Sequence, residues 1–157
     1  MAIEKVKQYF AQYGMKNQII ECERSSATVS LAALALGTTP ERIAKTLAFR
    51  QADTCVLIVL AGDAKLDNKK YKDFFHCKAT MLDAAAVEQQ TGHAIGGVCP
   101  FAVRPEIPIY LDVSLRRFKT VYPACGSSNS AIELTCDALF QYAQAKEWID
   151  VGKDWLL

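Results

Sequence analysis

KTLAFRQADTCVLIVLA, residues 45–61, carries two β segments, 45–50 and 55–61, around a polar turn at Gln51, Ala52 and Asp53. Toward the N-terminus, Thr39-Pro40-Glu41 reads as a helix start, with a capping threonine and proline in the first turn. That helix is brief, because the first β segment follows at once. Before it, SSATVSLAALALG supplies serine and threonine cap candidates, an apolar helical stretch and a closing Gly37. Residues 17–22 read as a short strand. Ile3, Val6, Phe10 and Tyr13 recur at helical spacing ahead of Gly14, which predicts an amphipathic helix over 3–13.

In the other direction, residues 67–75 read as a helix with its lysines outward and Phe74 or Phe75 inward. Residues 78–82 form a candidate strand, and Asp83 caps a helix through Gln90 that Thr91-Gly92 ends. A segment punctuated by glycine and proline follows, HAIGGVCPFAVRPEIP. Strands are then expected near 107–112, 120–124 and 131–135, a helix near 137–145 and a last strand at 148–151. Short strands mixed with short helices, without regular βαβ alternation, predict an α+β fold with a mixed sheet. The periodicity is compatible with closure of that sheet into a barrel and does not require it. No repeat or linker divides residues 1–157, so a single domain is expected.

Composition excludes several functions. With 51% hydrophobic and 22% charged residues, the chain is globular rather than disordered. No apolar run approaches the roughly 20 residues a bilayer span needs. The start, MAIEKVKQYF, has no signal-peptide apolar region. A cytoplasmic protein without membrane contact is expected. Net charge is +1, too little for a protein that depends on nonspecific attraction to phosphates. Contact with RNA would be local, at a strand end, or assisted by a partner. Lys65, Lys69, Lys70 and Lys72, and later Arg116, Arg117 and Lys119, read as solvated faces. The six cysteines are scattered, form no CxxC pair and suit a reducing compartment. His76 and Cys77, being adjacent, point in different directions. Neither a metal nor a cofactor is expected.

Chemistry concentrates in three places: Lys45, the loop Gly96-Gly97-Val98-Cys99-Pro100-Phe101, and the polar turn from Gly126 and Ser127 to Ser130. A lysine between apolar neighbours at the start of a buried strand either snorkels to the surface or reaches a cleft or an anion. The paired glycines let backbone approach a ligand and present amides to a carbonyl under attack, or they simply turn the chain. The serines of the later turn either donate hydroxyls to a substrate or bend the backbone. Cys99, with His93 six residues before it, raises a thiol-nucleophile reading, but the sequence shows no orienting third residue. A small buried thiol is the simpler reading of Cys99. Walker, G-x-S-x-G, H-E-x-x-H and G-x-G-x-x-G patterns are missing, which removes the common hydrolase, nucleotide-binding and zinc-protease motifs.

The ordered series RIAKTLAF, GDAKLDNKK, TGHAIGGVCPF, YLDVSL, VYPACG and SAIELT, from about Thr28 to Leu139, resembles the YbaK family of aminoacyl-tRNA deacylases. The family is related to the editing domain of bacterial prolyl-tRNA synthetases. The resemblance implies a mixed sheet curled into a distorted barrel with flanking short helices. It also implies hydrolysis, in trans, of tRNA carrying a wrong small amino acid, with alanine or cysteine on tRNA(Pro) as the leading candidates. Lys45 matches the family lysine that faces the aminoacyl-adenosine end. Gly96, Gly97 and Pro100 match the loop that places the ester carbonyl, and Gly126 matches a glycine near the pocket wall. The implied catalytic residues are thus Lys45, Gly96 and Gly97. Val98, Cys99, Pro100, Phe101, Gly126 and Ser127 are implied to bind substrate. The 3′ end of aminoacyl-tRNA is the implied partner, with prolyl-tRNA synthetase as a second. Two departures bear on the preferred amino acid: Ala131 stands where some relatives carry an acidic residue, and Ala102 stands where a glycine often follows the loop. A noncatalytic module that docks tRNA or a synthetase is the alternative reading.

Overall fold

The computed structural model describes residues 2–23 and 28–155. In chain order the elements are α1 (Ala2–Ala11), β1 (Ile20–Glu21), α2 (Val29–Leu36), β2 (Ile43–Gln51), β3 (Thr54–Ala61), β4 (Lys65–Leu66) and α3 (Asn68–Phe75). They continue as α4 (Ala84–Thr91), β5 (Ile109–Asp112), β6 (Thr120–Pro123), β7 (Ser130–Ala131), β8 (Leu134–Thr135), α5 (Cys136–Ala143), β9 (Glu147–Ile149) and β10 (Gly152–Lys153). The principal sheet has six strands in the order β8-β6-β2-β3-β5-β9, and two small pairs, β1 with β7 and β4 with β10, flank it.

β2 and β3 form the antiparallel hairpin expected of residues 45–61, in register from Ala44 opposite Ala61 to Gln51 opposite Thr54. Ala52 turns the chain with φ 51°, which a two-residue hairpin requires. Parallel pairing of β2 with β6, β3 with β5 and β5 with β9, and antiparallel pairing of β6 with β8, make the sheet mixed. It curls into a half-barrel with the five short helices around it, the architecture the family resemblance implied. The centre of β3 has no access to solvent, from Cys55 to Ala61. Buried Asp112 ties the last strand to this centre, accepting from the amides of Val151 at 2.8 Å, Gly152 at 3.0 Å and Ser114 at 3.0 Å.

The caps expected at Thr28 and Asp83 form, and Asp67 and Thr135, read from the sequence as part of a helix and of a strand, prove to be caps as well. Thr28, Asp67, Asp83 and Thr135 each accept a bond from a first-turn amide of the helix that follows. Ser25 and Ser26, the other cap candidates before α2, lie outside the described residues. Thr39 precedes only a 3-10 turn, Pro40–Arg42, and makes no side-chain cap bond. Four strand expectations change in detail. Residues 17–22 begin as a 3-10 turn, Lys16–Gln18, and leave only β1 extended. Residues 78–82 lie alongside β2 through Arg50 N to Thr80 O at 2.8 Å and Leu82 N to Ala48 O at 3.1 Å, with only an isolated bridge between Phe49 and Met81. The stretch 131–135 divides into β7 and β8, because Ser130 and Ala131 pair with β1 while Leu134 and Thr135 pair with β6. The last expected strand, 148–151, starts one residue earlier and ends two residues earlier, as β9. Among the described residues, no helix is long and apolar enough to cross a membrane.

Candidate active site

A cavity of about 360 Å³ opens between α2, the strands β2, β6 and β7, and the loop after α4. Val29, Ala32 and Leu36 of α2 form one wall, residues 43–48 of β2 the floor, and Gly96 and Val98 the opposite wall. Tyr122, Ala124, Ser130 and Ala131 close one end; Met81 and Ile95 stand at the other, and both stay largely exposed. The lining is overwhelmingly aliphatic, and many of its side chains are alanine.

Lys45 is the only lysine or arginine that lines the cavity among the described residues. It is half-buried on β2, and its Nζ donates to the carbonyl oxygens of Gly62, at 3.3 Å, and Ala64. These bonds answer the cost of withdrawing an ammonium from water. Burial pushes its pKa below the ordinary lysine value; the Asp63 carboxylate opposes that shift and Lys65 adds to it. Asp63 is itself clamped by both terminal guanidinium nitrogens of Arg117, at 3.0 and 2.5 Å, which hold its carboxyl below the usual range. Gly62, between these groups, has no room for a side chain: a Cβ would sit 2.0 Å from the Pro40 carbonyl oxygen.

The loop that faces Lys45 is pinned at its tip. Gly96 has φ 95°, which glycine adopts at little cost. Gly97 packs so closely on the polar turn that a Cβ there would lie 2.7 Å from the amide nitrogen of Ser127. Gly126 has φ 94° and abuts the start of α1. Gly97 N donates to Ala94 O at 3.0 Å, whereas the amides of Gly96, Val98 and Cys99 donate to no group among the described residues. Of these residues Gly96 and Val98 line the cavity, so their amides are the candidates to receive a ligand oxygen.

The structure therefore brings Lys45, Gly96 and Val98 onto one cavity and seats Gly97, Gly126 and Ser127 behind them as a support. Ser127 Oγ donates within its own turn, to Asn129 Oδ1 at 2.9 Å or Ser130 Oγ at 2.7 Å. The remaining sequence candidates point elsewhere. Pro100 faces a second hollow between α1 and α5. Cys99 and Phe101 are wholly buried, and Phe101 packs edge-on against Phe10, with ring centroids 4.8 Å apart. Cys99 Sγ lies 3.5 Å from His93 Nε2, but that nitrogen is bonded to Phe101 O at 2.9 Å, and burial pushes the thiol up to about 12. Burial also lowers the His93 pKa, against the bond to Phe101; Lys5 adds slightly to the lowering.

Sequence reasoning missed several lining groups. Thr46 carries a buried hydroxyl with no hydrogen-bond partner among the described residues, and it borders the cavity. Its only signal was its place beside Lys45. Tyr122 closes the end of the cavity under the Arg42 guanidinium, 5.1 Å from the ring centroid; Arg42 in turn pairs with Glu133 at 3.2 Å. Nothing in the sequence links these three residues.

An aliphatic cleft beside one cation and unbonded loop amides can receive an apolar group joined to a polar one. Residues 23–142 match the family model of the aminoacyl-tRNA editing domain. The chain is 53% identical over 156 residues to YwhH of Bacillus subtilis (strain 168), spanning 99% of each protein. It is 31% identical over 106 residues to the Enterococcus faecalis protein EbsC, named "Putative Cys-tRNA(Pro)/Cys-tRNA(Cys) deacylase", covering 66% of this chain and 65% of that one. The crystal structure of a "putative trans-editing enzyme for prolyl tRNA synthetase" superimposes with a TM-score of 0.87 at 25% identity, over 97% of both chains. The chain belongs to the aminoacyl-tRNA editing domain family, and its enzyme class is aminoacyl-tRNA deacylase.

Proposed function

We propose that this chain acts in the cytoplasm, in trans, as a single editing domain that removes a small wrong amino acid, alanine or cysteine, from tRNA(Pro). The observation that carries the proposal is the common cavity of Lys45 and the Gly96–Val98 backbone. The aminoacyl ester is already activated, so the protein has only to bind it, hold its carbonyl and admit a nucleophile. In this reading the amides of Gly96 and Val98 receive the carbonyl oxygen as it gains negative charge. Lys45 attracts the carbonyl or a backbone phosphate as a point charge and does not act as a base. The nucleophile adds to the carbonyl carbon, the ester C–O bond breaks, and the ribose oxygen leaves with a proton as a free 3′-terminal hydroxyl. Water supplies the oxygen that ends on the released acid, either directly or after a neighbouring ribose hydroxyl or the substrate's own side chain has first taken the acyl group, so no triad is needed.

The aliphatic lining and the alanine at position 131 favour a small uncharged side chain, and rejection of the correct residue would follow the logic of a second sieve. Prolyl-tRNA synthetase is the natural source of the mischarged substrate and a candidate partner.

A panel of mischarged tRNAs led by Ala-tRNA(Pro) and Cys-tRNA(Pro) tests this. Wild type is expected to release the amino acid, and Lys45→Ala to slow release about tenfold or more, a barrier change of ~1.4 kcal/mol. An unchanged rate removes Lys45 from the mechanism. Saturable tRNA binding with no release across the panel would make the protein a docking module instead. Asp63→Asn sharpens the role of the charge. Without the carboxylate that raises its pKa, Lys45 loses its proton at lower pH, so the alkaline fall in rate should move to lower pH.

A further inference from the structure

The geometry points to His93 as the positioning residue that holds the Gly96–Val98 backbone in place from below. The side chain is 1% exposed and lines no part of the cavity, so it has no direct access to a substrate. Its Nε2 lies 2.9 Å from the carbonyl oxygen of Phe101. A carbonyl only accepts, so Nε2 carries the hydrogen, and the neutral imidazole is the tautomer protonated there. This bond joins the two feet of the loop, residues 93 and 101, across the glycines. The Cys99 thiol lies 3.8 Å from the same carbonyl and donates to it as a weak second bond.

The near foot is anchored in turn. His93 N donates to Thr91 Oγ1 at 3.1 Å, and that hydroxyl donates to Val87 O at 2.7 Å in the last turn of α4. The far foot is anchored by Phe101 in the core. Just past it Ala102 runs through the left-handed region, at φ 56°, and Gly96 is also left-handed. Two such residues give the segment alternative paths, and hydrogen bonds across its base select one of them. Contact of Gly97 with Ser127 fixes the tip, while His93 fixes the width at the base. Without that bond the Gly96 and Val98 amides lose their aim, and a misplacement of about 1 Å at such a site lowers rates by as much as ~100-fold.

The kinetic part of the test rests on the deacylase reading above; the exchange part does not. His93→Gln keeps an amide N–H near the position of Nε2, whereas His93→Leu keeps volume and loses the donor. In the Leu variant, hydrogen exchange of the bonded Gly97 amide should rise about tenfold relative to α4, and kcat should fall about tenfold with KM changed less than about twofold. The Gln variant should restore both measurements to near wild type. If His93→Leu does not fold, His93→Asn replaces it, since its shorter amide falls short of the Phe101 carbonyl. Wild-type exchange and kcat in the donor-less variant, or a Gln variant as impaired as that one, overturns the proposal. Absence of release by wild type would reject the deacylase reading alone, and the exchange comparison would still decide the role of His93.

Discussion

The loop from His93 to Phe101 has two sides made from neighbouring residues and governed by different physics. Gly96 and Val98 face the cavity, where open amides and small side chains leave room for a ligand. Cys99 and Phe101, one and three residues further, are sealed in the core with His93. The front is under-packed and carries unanswered hydrogen-bonding capacity; the back is close-packed and answers nearly all of it. A cleft with open amides is rigid only if something behind it is rigid, so the packed side stabilises and, in the proposed function, the open side recognises.

That division gives substitutions of different size and kind. Phe101→Ala is expected to have the largest effect, lowering stability by about 3–5 kcal/mol through the cavity left against Phe10, read as a fall in denaturation midpoint. A loss below about 1 kcal/mol would show that the back is not the packed side. Gly97→Ala comes next. Its Cβ meets the Ser127 backbone at 2.7 Å, so the loop and the polar turn must separate, at an expected loss of about 1–3 kcal/mol. Because the tip also aims the neighbouring amides, deacylation should fall by more than the change in folded fraction; equal falls would limit Gly97 to packing. Ala102→Gly should be the mildest. Relief of a left-handed alanine, about 1–2 kcal/mol, exceeds the added chain entropy of glycine, about 0.5–1 kcal/mol. A rise in melting temperature of a few degrees is the expected reading, and a fall would mean that the turn past Phe101 carries no strain.

The front of the loop was more legible in the sequence than the back. Lys45 and the paired glycines stand out because a lysine in an apolar strand and a glycine pair each need a reason. The series of short motifs then ordered them into one site. Cys99 and Phe101 lay in the same stretch and were taken with it, but adjacent backbone positions project in different directions, and only packing shows which ones face a ligand. Strand bounds were blurred for a related reason: the stretch after Ser130 serves two partners, β1 and β6, and partner choice is nonlocal.

From its residues alone the chain declares its local preferences: the 45–61 hairpin, the caps at Thr28 and Asp83, and the glycines at left-handed turns. These depend on side-chain chemistry and on backbone freedom within a few positions. Only the tertiary structure decides which loop amides remain open, that Asp63 belongs to Arg117 and leaves the Lys45 ammonium to two carbonyls, and that Thr46 keeps an unanswered hydroxyl beside the cavity. Each of these turns on groups far apart in sequence competing for one partner, and that competition is resolved only when the chain has folded.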